Sequence, residues 1–246
     1  MNNFAKLRLA VFGATLLGLS SFASAIPTLQ LGIAGGTYDS GTETIIASSS
    51  SFSVYAYLIP NDSNPISDLY SISMALTPSL SSSSSLGSFT VDGNAIDVTS
   101  GMNYGIPPLD VDLADGDLPT HGIFPTYFIE KSFSFSAANQ SGEFNTADNP
   151  SFGPQAGSGM YFQKFDIDVT NLSADYAIHF DLYNTAICDG NKCTPGNLDV
   201  SQFAPFSHDA ESGPGGGGPP NETPEPTTLL LLALGVLGLG LSRRNV

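Results

Sequence analysis

The sequence predicts an all-β protein built as a single antiparallel β-sandwich domain. Three observations lead to this prediction. Apolar or aromatic residues alternate with small polar residues along the middle of the chain, and no stretch there repeats its apolar residues at helical spacing. The chain also holds 26 glycines, 17 prolines and no tryptophan. Turn-forming residues cluster between the alternating stretches, as short strands joined by tight turns require.

Six alternating stretches predict strands, because a period of two places one set of side chains on a core face and the other toward solvent. They are TLQLGI at 28–33, SFSVYAYLI at 51–59, LYSISMAL at 69–76, KSFSFSA at 131–137, YFQKFDIDV at 161–169 and YAIHFDLY at 176–183. GSFTVDGNAIDV at 87–98 predicts a hairpin that turns at Asp92-Gly93-Asn94, residues that tolerate a positive φ. The serine run at 81–85 predicts an exposed loop, and the proline-rich stretch at 101–125 predicts a long loop.

The first 25 residues have the layout of a secretory signal peptide. Lys6 and Arg8 precede a short apolar stretch, and the small residues Ala23-Ser24-Ala25 follow it. We therefore expect signal peptidase to cleave after Ala25 and the mature chain to begin at residue 26. An uncut N-terminal anchor is the alternative, and the shortness of the apolar stretch disfavours it.

Charge narrows the range of partners. All 23 acidic residues lie between Asp39 and Glu225, against only three lysines in that stretch, which leaves it a net charge of −20. Such a surface repels the phosphates of nucleic acids and anionic lipid headgroups, so we expect no nucleic acid partner. Cations, basic partners and neutral polymers remain open.

The C-terminal segment combines three features in a fixed order. Pro224-Glu225-Pro226 comes first, an apolar run at 229–241 follows, and Arg243 and Arg244 stand near the end. As a helix the run would span about 20 Å, short against a hydrocarbon core of about 30 Å. The positive-inside rule places the two arginines on the cytoplasmic side and the rest of the protein outside.

This order resembles the PEP-CTERM sorting signal of Gram-negative bacteria. The resemblance implies that an exosortase recognises the tail, cuts at the PEP motif and delivers the protein to the cell surface. An ordinary C-terminal membrane anchor that is never cut is the alternative. The predicted organisation is a signal peptide at 1–25, a β-sandwich body at 26–211, a Gly/Pro linker at 212–222 and a sorting signal with one transmembrane helix at 223–246.

The body shows a second resemblance, to the exported proteins called choice-of-anchor N proteins. It rests on LQLGIAGGTYDSGTETI near the start of the body, HGIFPTYF at 121–128 and FAPFSHDAE at 203–211. It implies a common body with variable tail signals and no known activity.

Two cysteines stand close together in the sequence. Cys188 and Cys193 flank Asp-Gly-Asn-Lys, and a turn at Asp-Gly brings their Cα atoms within disulfide range. In an exported protein we expect a disulfide. Half of a zinc site is the alternative, although the sequence offers no second cysteine pair to complete it.

An acidic stretch, LDVDLADGDLP, is the candidate metal site. It holds Asp110, Asp112, Asp115 and Asp117, and four carboxylates in eight residues are a donor set suited to Ca²⁺. Ala114 breaks the register of an EF-type loop, so a solvated acidic loop is the alternative.

The histidines give no catalytic pattern. Alternation in YAIHFDLY predicts that His179 lies on the solvent face, opposite the apolar residues, and FDIDV places Asp166 and Asp168 on the solvent face of another strand. His121 and His208 stand beside loop residues. His208 and Asp209 are neighbours in sequence, and neighbours on an extended chain point apart.

These observations predict a non-enzymatic, exported protein of the cell surface or of an exopolysaccharide or biofilm matrix. The expected partners are signal peptidase, an exosortase, the membrane before cleavage and matrix polysaccharide. A Ca²⁺-dependent or carbohydrate-binding module is the second hypothesis. A secreted hydrolase is the third, because many acids are present and two of them at a suitable separation would suffice for glycoside hydrolysis.

Overall fold

The computed structural model describes residues 26–108, 122–186, 203–205 and 208–213. Within these ranges the regular structure is thirteen β-strands, and none of these residues lies in an α-helix. The strands are β1 (Leu29–Ile33), β2 (Thr37–Asp39), β3 (Thr44–Ile46), β4 (Ser51–Leu58), β5 (Tyr70–Thr77), β6 (Ser88–Val91), β7 (Asn94–Asp97), β8 (Asn103–Gly105), β9 (Thr126–Phe133), β10 (Gln140–Gly142), β11 (Gly159–Asp168), β12 (Ala177–Asn184) and β13 (Asp209–Glu211). The all-β prediction is confirmed for this part of the chain.

The strands form two sheets. Sheet I has the order β1-β4-β11-β6-β7, with β10 also paired to β11, and sheet II has the order β2-β3-β13-β12-β5-β9-β8. Every described pair is antiparallel except β13 with β3, which run parallel. Sheet II is therefore mixed, which differs from the purely antiparallel prediction. The difference arises because the last strand inserts between β3 and β12 instead of extending an edge.

The core lies between the two sheets. Phe52 of β4 meets Phe180 of β12 edge-on at 6.2 Å, and Phe133 of β9 meets Phe165 of β11 at 5.3 Å. Alternate residues of the long strands fill the remaining space: Leu29, Leu31 and Ile33; Val54, Ala56 and Leu58; Ile72, Met74 and Leu76; Ile178 and Leu182. Period two in the sequence therefore identifies the inner faces correctly.

A small second core covers one end of the outer face of sheet I. Tyr57, Phe144 and Met160 are buried there, with the rings of Tyr57 and Phe144 at 5.2 Å. Gln30 of β1 fixes the segment that carries Phe144, since its amide nitrogen donates to the Phe144 carbonyl at 2.8 Å and its amide oxygen accepts from the Thr146 N–H at 2.9 Å. Because both polar atoms of the Gln30 amide have hydrogen-bond partners, this side chain can be buried and hold the neighbouring segment in place.

The turn chemistry is as predicted at the β6–β7 hairpin. Asp92 and Gly93 both have positive φ, 51° and 77°, which is the geometry of a two-residue hairpin loop. The serine run at 81–85 is exposed, also as predicted.

Two stretches differ from the prediction. Residues 131–137 were predicted as a strand, but β9 covers Thr126–Phe133, and the stretch predicted as a loop at 101–125 contains the short strand β8. The position of β9 follows from pairing with β5, which has partners from Phe128 to Phe133, and β8 forms by pairing with the start of β9.

Candidate functional site

A cluster of ionisable side chains lies on the outer face of sheet II. In one row across the sheet, Glu211 of β13 is paired with His179 of β12, which is paired with Ala75 of β5. One row further, Asp181 is paired with Ser73. The register that pairs Phe180 with Ala210 also brings Asp209 beside Asp181. We call His179, Asp181, Asp209 and Glu211 the His179 cluster.

Three carboxylates surround the imidazole ring of this cluster. Nε2 of His179 lies 3.3 Å from Oδ1 of Asp181 and 3.8 Å from Oδ2 of Asp209. On the other side of the ring, Nδ1 lies 3.6 Å from Oε2 of Glu211. The ligating atoms of His179, Asp181 and Asp209 all lie within 4.8 Å of one another. Polar side chains from the adjacent strands β12 and β13 thus meet around the ring of His179.

The prediction that His179 lies on a solvent face is wrong. His179 is only 4% exposed, Asp181 and Asp209 are each 1% exposed, and all eight residues of β12 are buried. Alternation correctly separated His179 from Ile178 and Phe180, but β12 is a central strand whose outer face is covered as well as its inner face. The side chain of Glu211 keeps 26% exposure, so the cluster opens toward solvent on that side.

Burial and charge act in opposite directions on His179. Burial alone lowers the pKa of its imidazole, whereas the charge of Asp181 and the bonds to Asp181, Asp209 and Glu211 raise it, and these prevail to hold the pKa well above 6.5. The imidazole ring therefore carries a proton at neutral pH and is the positively charged group of the cluster.

Hydrogen bonds position the neighbours of the cluster. Ser73 Oγ donates to Oδ2 of Asp181 at 2.7 Å, on the side of the carboxylate away from the oxygen that faces His179. Further along the same face, the hydroxyl of Tyr183 donates to Oε1 of Glu130. Burial, followed by the charge of Glu130, raises the pKa of Tyr183, so this hydroxyl keeps its proton.

His208 and Asp209 contact different groups. Nε2 of His208 lies 3.0 Å from Oδ1 of Asn145, whereas the carboxylate of Asp209 belongs to the His179 cluster. Burial lowers the pKa of His208 to about 4, so this ring is neutral at physiological pH. The prediction that the two neighbours point apart agrees with their separate contacts.

The outer face of sheet I carries polar residues of a different kind. Ser53 Oγ donates to Asp166 at 2.7 Å and Ser51 Oγ to Asp168 at 2.6 Å, across the β4–β11 pair. Lys164 makes an ion pair with Asp166 at 2.8 Å. Asp166 is exposed and Asp168 is half-buried, as the sequence predicts for a solvent face.

A shallow groove of about 350 Å³ runs along these pairs. Ser51, Ser53, Thr90, Asp166 and Asp168 supply its polar lining. Beyond Lys164, which is paired with Tyr55 across the strands, the half-buried rings of Tyr55 and Phe162 meet at 6.0 Å. The groove therefore presents hydroxyls and carboxylates next to an aromatic pair.

Most of the predicted site residues lie outside the described residues, and the structure does not test them. These are the cleavage residue Ala25, the sorting residues Pro224, Glu225, Pro226, Arg243 and Arg244, the cysteines Cys188 and Cys193, His121, and the acidic residues Asp110, Asp112, Asp115 and Asp117. The proposed transmembrane helix lies there too. Among the residues that the structure describes, no helix is long and apolar enough to cross a membrane.

The His179 cluster was missed by the sequence analysis as a site. Its local signal is the repeated i, i+2 spacing of polar residues in HFD at 179–181 and DAE at 209–211. Nothing in either triplet shows that the two strands pair, because the paired residues are 30 and 32 positions apart in the sequence.

The fold defines the described part of the protein as a two-sheet β-sandwich whose candidate site is a buried imidazole–carboxylate cluster. Comparison with known families adds the C-terminal segment: the PEP-CTERM protein-sorting motif matches residues 222–244. The chain thus carries a PEP-CTERM sorting motif, which indicates an exported protein whose C-terminus is anchored in the membrane before exosortase processing. No curated protein and no solved structure matches the chain.

Proposed function

We propose that this chain is a non-enzymatic protein of the cell surface or of the exopolysaccharide matrix around the cell, delivered there by exosortase cleavage at Pro224-Glu225-Pro226. The observation that carries the proposal is the sorting motif at 222–244, which begins eleven residues after the last strand of the sandwich. A folded body followed closely by a sorting motif is what a surface-delivered protein requires.

The environment of the ionisable groups supports a non-enzymatic role. His179, Asp181 and Asp209 are each no more than 4% exposed, which keeps a polymer or a peptide away from them. His208 is buried against Asn145, and Asp166 and Asp168 are bonded to serines and Lys164. A general acid or base must reach its substrate, and these groups are directed to partners within the protein.

The test is the intact mass and the compartment of the protein in an exosortase-containing host and in the same host without its exosortase. We expect the wild-type protein outside the cell, starting at residue 26 and lacking Arg243 and Arg244. The Pro224→Ala, Glu225→Ala double variant should keep its full tail and stay in the membrane fraction. Asn221→Ala, just outside the matched motif, is the control and should be processed like the wild type.

The outcomes separate sorting from simple anchoring. If the wild type keeps both arginines in the membrane whether or not the exosortase is present, the tail is an uncut anchor and the proposal fails. If the protein is processed but turns over a polysaccharide in the surrounding matrix, the delivery part stands and the non-enzymatic part fails.

The groove on sheet I favours a second function, carbohydrate binding within the same matrix. Neutral sugars bind through hydroxyl and carboxylate partners combined with the face of an aromatic ring, and the groove places Ser53 and Asp166 close to Tyr55. A neutral polymer also avoids the repulsion that a net charge of −20 imposes on anionic partners.

This second function is tested by affinity electrophoresis of the purified protein in gels that contain the neutral exopolysaccharide of the host. Retardation should be lost in Asp166→Ala and in Tyr55→Ala. Asp39→Ala removes a carboxylate from β2 of sheet II and should leave retardation unchanged. Equal mobility of the wild type with and without polysaccharide would exclude binding by this face.

A further inference from the structure

We propose that Nε2 of His179, Oδ1 of Asp181 and Oδ2 of Asp209 bind one divalent transition-metal cation, with Zn²⁺ as the ion that the donor set fits best. None of these residues belongs to the acidic stretch at 110–117, and the proposal does not depend on how the tail is processed.

The distances between the donor atoms agree with a shared ion. Bonds of about 2.0–2.2 Å from Zn²⁺ to nitrogen and oxygen in a tetrahedral site place neighbouring donors roughly 3.3–3.6 Å apart. The two measured separations from Nε2 are 3.3 Å and 3.8 Å. The first separation falls within this range and the second exceeds it by about 0.2 Å, so a small shift of Asp209 brings the three donors to the spacing of one coordinated ion.

The residues around the three donors hold them as metal ligands are commonly held. A metal-binding histidine usually directs its second ring nitrogen at a carboxylate or carbonyl, which fixes the tautomer and the orientation of the ring. Here Glu211 lies 3.6 Å from Nδ1, on the opposite side of the ring from the two aspartates. Ser73 fixes Asp181 in the same way through its 2.7 Å bond to the second carboxylate oxygen.

The backbone holds the two ligand-bearing strands rigidly. β12 is hydrogen-bonded to β5 along its whole length and to β13 on its other side. The chain just after β13 is held as well, because the Ser212 N–H donates to the Ile178 carbonyl and the Ile178 N–H donates to Ser212 Oγ, each at 2.9 Å. A site on paired strands keeps its geometry better than a site on a loop.

The chemistry of the donors selects the type of ion. Ca²⁺ requires six to eight oxygen ligands, and a cluster with an imidazole nitrogen and two aspartates does not supply them. Imidazole with carboxylates suits Zn²⁺ and, less tightly, Mn²⁺. With three ligands from the protein, a tetrahedral Zn²⁺ keeps its fourth position for a water molecule.

A protonated imidazole among the carboxylates is the competing arrangement, and metal binding distinguishes the two. The experiment uses the full-length chain in detergent, stripped with a chelator and then titrated with ZnCl₂, MnCl₂ or CaCl₂ by isothermal calorimetry. We expect one Zn²⁺ per chain at this site, weaker binding of Mn²⁺ and none of Ca²⁺. At a free Zn²⁺ concentration a hundredfold above Kd, the melting temperature should rise by about 5–10 °C.

Matched variants locate the ion. His179→Gln and Asp209→Asn should each weaken Zn²⁺ binding at least a hundredfold, and Ser73→Ala should weaken it about tenfold through the orientation of Asp181. Asp97→Asn removes an exposed carboxylate from β7 of sheet I and should bind Zn²⁺ like the wild type. Circular dichroism checks that each variant is folded.

A second measurement needs no variant. Co²⁺ substituted for Zn²⁺ should give the visible spectrum of a nitrogen–oxygen site without a thiolate charge-transfer band. A thiolate band would place the ion on Cys188 and Cys193 and overturn the proposal. The proposal also fails if the stripped wild type shows no saturable Zn²⁺ binding, or if folded Asp209→Asn binds Zn²⁺ with wild-type affinity.

Discussion

The outer faces of the two sheets carry similar residues in opposite environments. On sheet I, Asp166 and Asp168 alternate with core residues along β11 and are bonded to Ser53 and Ser51 in contact with solvent. On sheet II, His179 and Asp181 alternate with core residues along β12 in the same way, but both are buried. The two strands have similar sequences, FDID in β11 and IHFDL in β12.

The difference shows what alternation determines and what it leaves open. A period of two assigns side chains to one face of a strand or the other, and in both strands this assignment is right. Whether the outer face meets solvent depends on what covers it, which is a property of the whole fold. Polar residues on a covered face must find partners, so they converge into a cluster, whereas on an open face they pair locally or bind water.

The largest expected contrast comes from removing the positively charged side chain on each face, His179 on sheet II and Lys164 on sheet I. His179→Gln should lower the free energy of unfolding by about 3–5 kcal/mol, because it leaves Asp181 and Asp209 buried without the imidazolium between them. The matched change on the open face, Lys164→Gln, should have a much smaller effect, because its pair with Asp166 is exposed and screened by solvent. Urea unfolding of metal-free protein measures both values. Equal losses would contradict the contrast between the faces.

A smaller effect is expected where the outer face of sheet I is itself covered. Gln30→Leu keeps the volume but leaves the Phe144 carbonyl and the Thr146 N–H without their partner, at a cost of about 1–3 kcal/mol. Hydrogen exchange at Thr146 should accelerate with it. Wild-type protection of Thr146 in the variant would show that another group holds this segment.

The ion pair that joins the two sheets at one edge should contribute less to the free energy of unfolding. Lys131 of β9 reaches Asp92 in the β6–β7 turn at 2.5 Å, and both side chains are more than a third exposed. Lys131→Met should therefore lower the free energy of unfolding by no more than about 1 kcal/mol. A much larger loss in urea unfolding would show that this edge depends on the ion pair.

The smallest effect is an acid-dependent one on the open face. Bonds from Lys164 and Ser53 lower the pKa of Asp166, and bonds from Ser51 and Thr170 lower that of Asp168. A lowered folded-state pKa means that this stability is complete above the unfolded value of about 3.9 and is lost as the pH falls through the lower folded value. The Ser51→Ala, Ser53→Ala double variant should thus differ from the wild type in urea midpoint at pH 5 and much less at pH 2. A constant difference would contradict this assignment.

The sequence predicted five of the longer strands well because each of them repeats its alternation several times, and β9, predicted at 131–137 but found at Thr126–Phe133, is the exception. β1, β4, β5, β11 and β12 all lie where alternation placed them, within one or two residues at each end. β2, β3 and β13 have three residues each, too few for a period to be recognised. Their places in sheet II depend on pairing between distant segments, which single-sequence patterns do not contain.

The residues of the candidate site also divide into those that a local pattern placed correctly and those whose position depends on pairing between distant segments. His179 and Asp181 were assigned to the correct strand and the correct face, and only their exposure was wrong. Asp209 was considered only beside its sequence neighbour His208, and Glu211 was not considered. The parallel pairing of β13 with β3 and its antiparallel pairing with β12 bring them to His179, and this arrangement follows from the assembled sheet alone.

The position of β13 has a mechanical consequence. Ten residues, 212–221, lie between Glu211 and the matched sorting motif, a connection that spans at most about 40 Å. If the chain is held at the start of the sorting motif, the body stays within about 40 Å of that point, and a pull on it reaches the sandwich first through β13. That strand is bonded to β3 on one side and β12 on the other, so a load directed along it must shear two rows of hydrogen bonds together, which resists detachment better than unzipping a free edge.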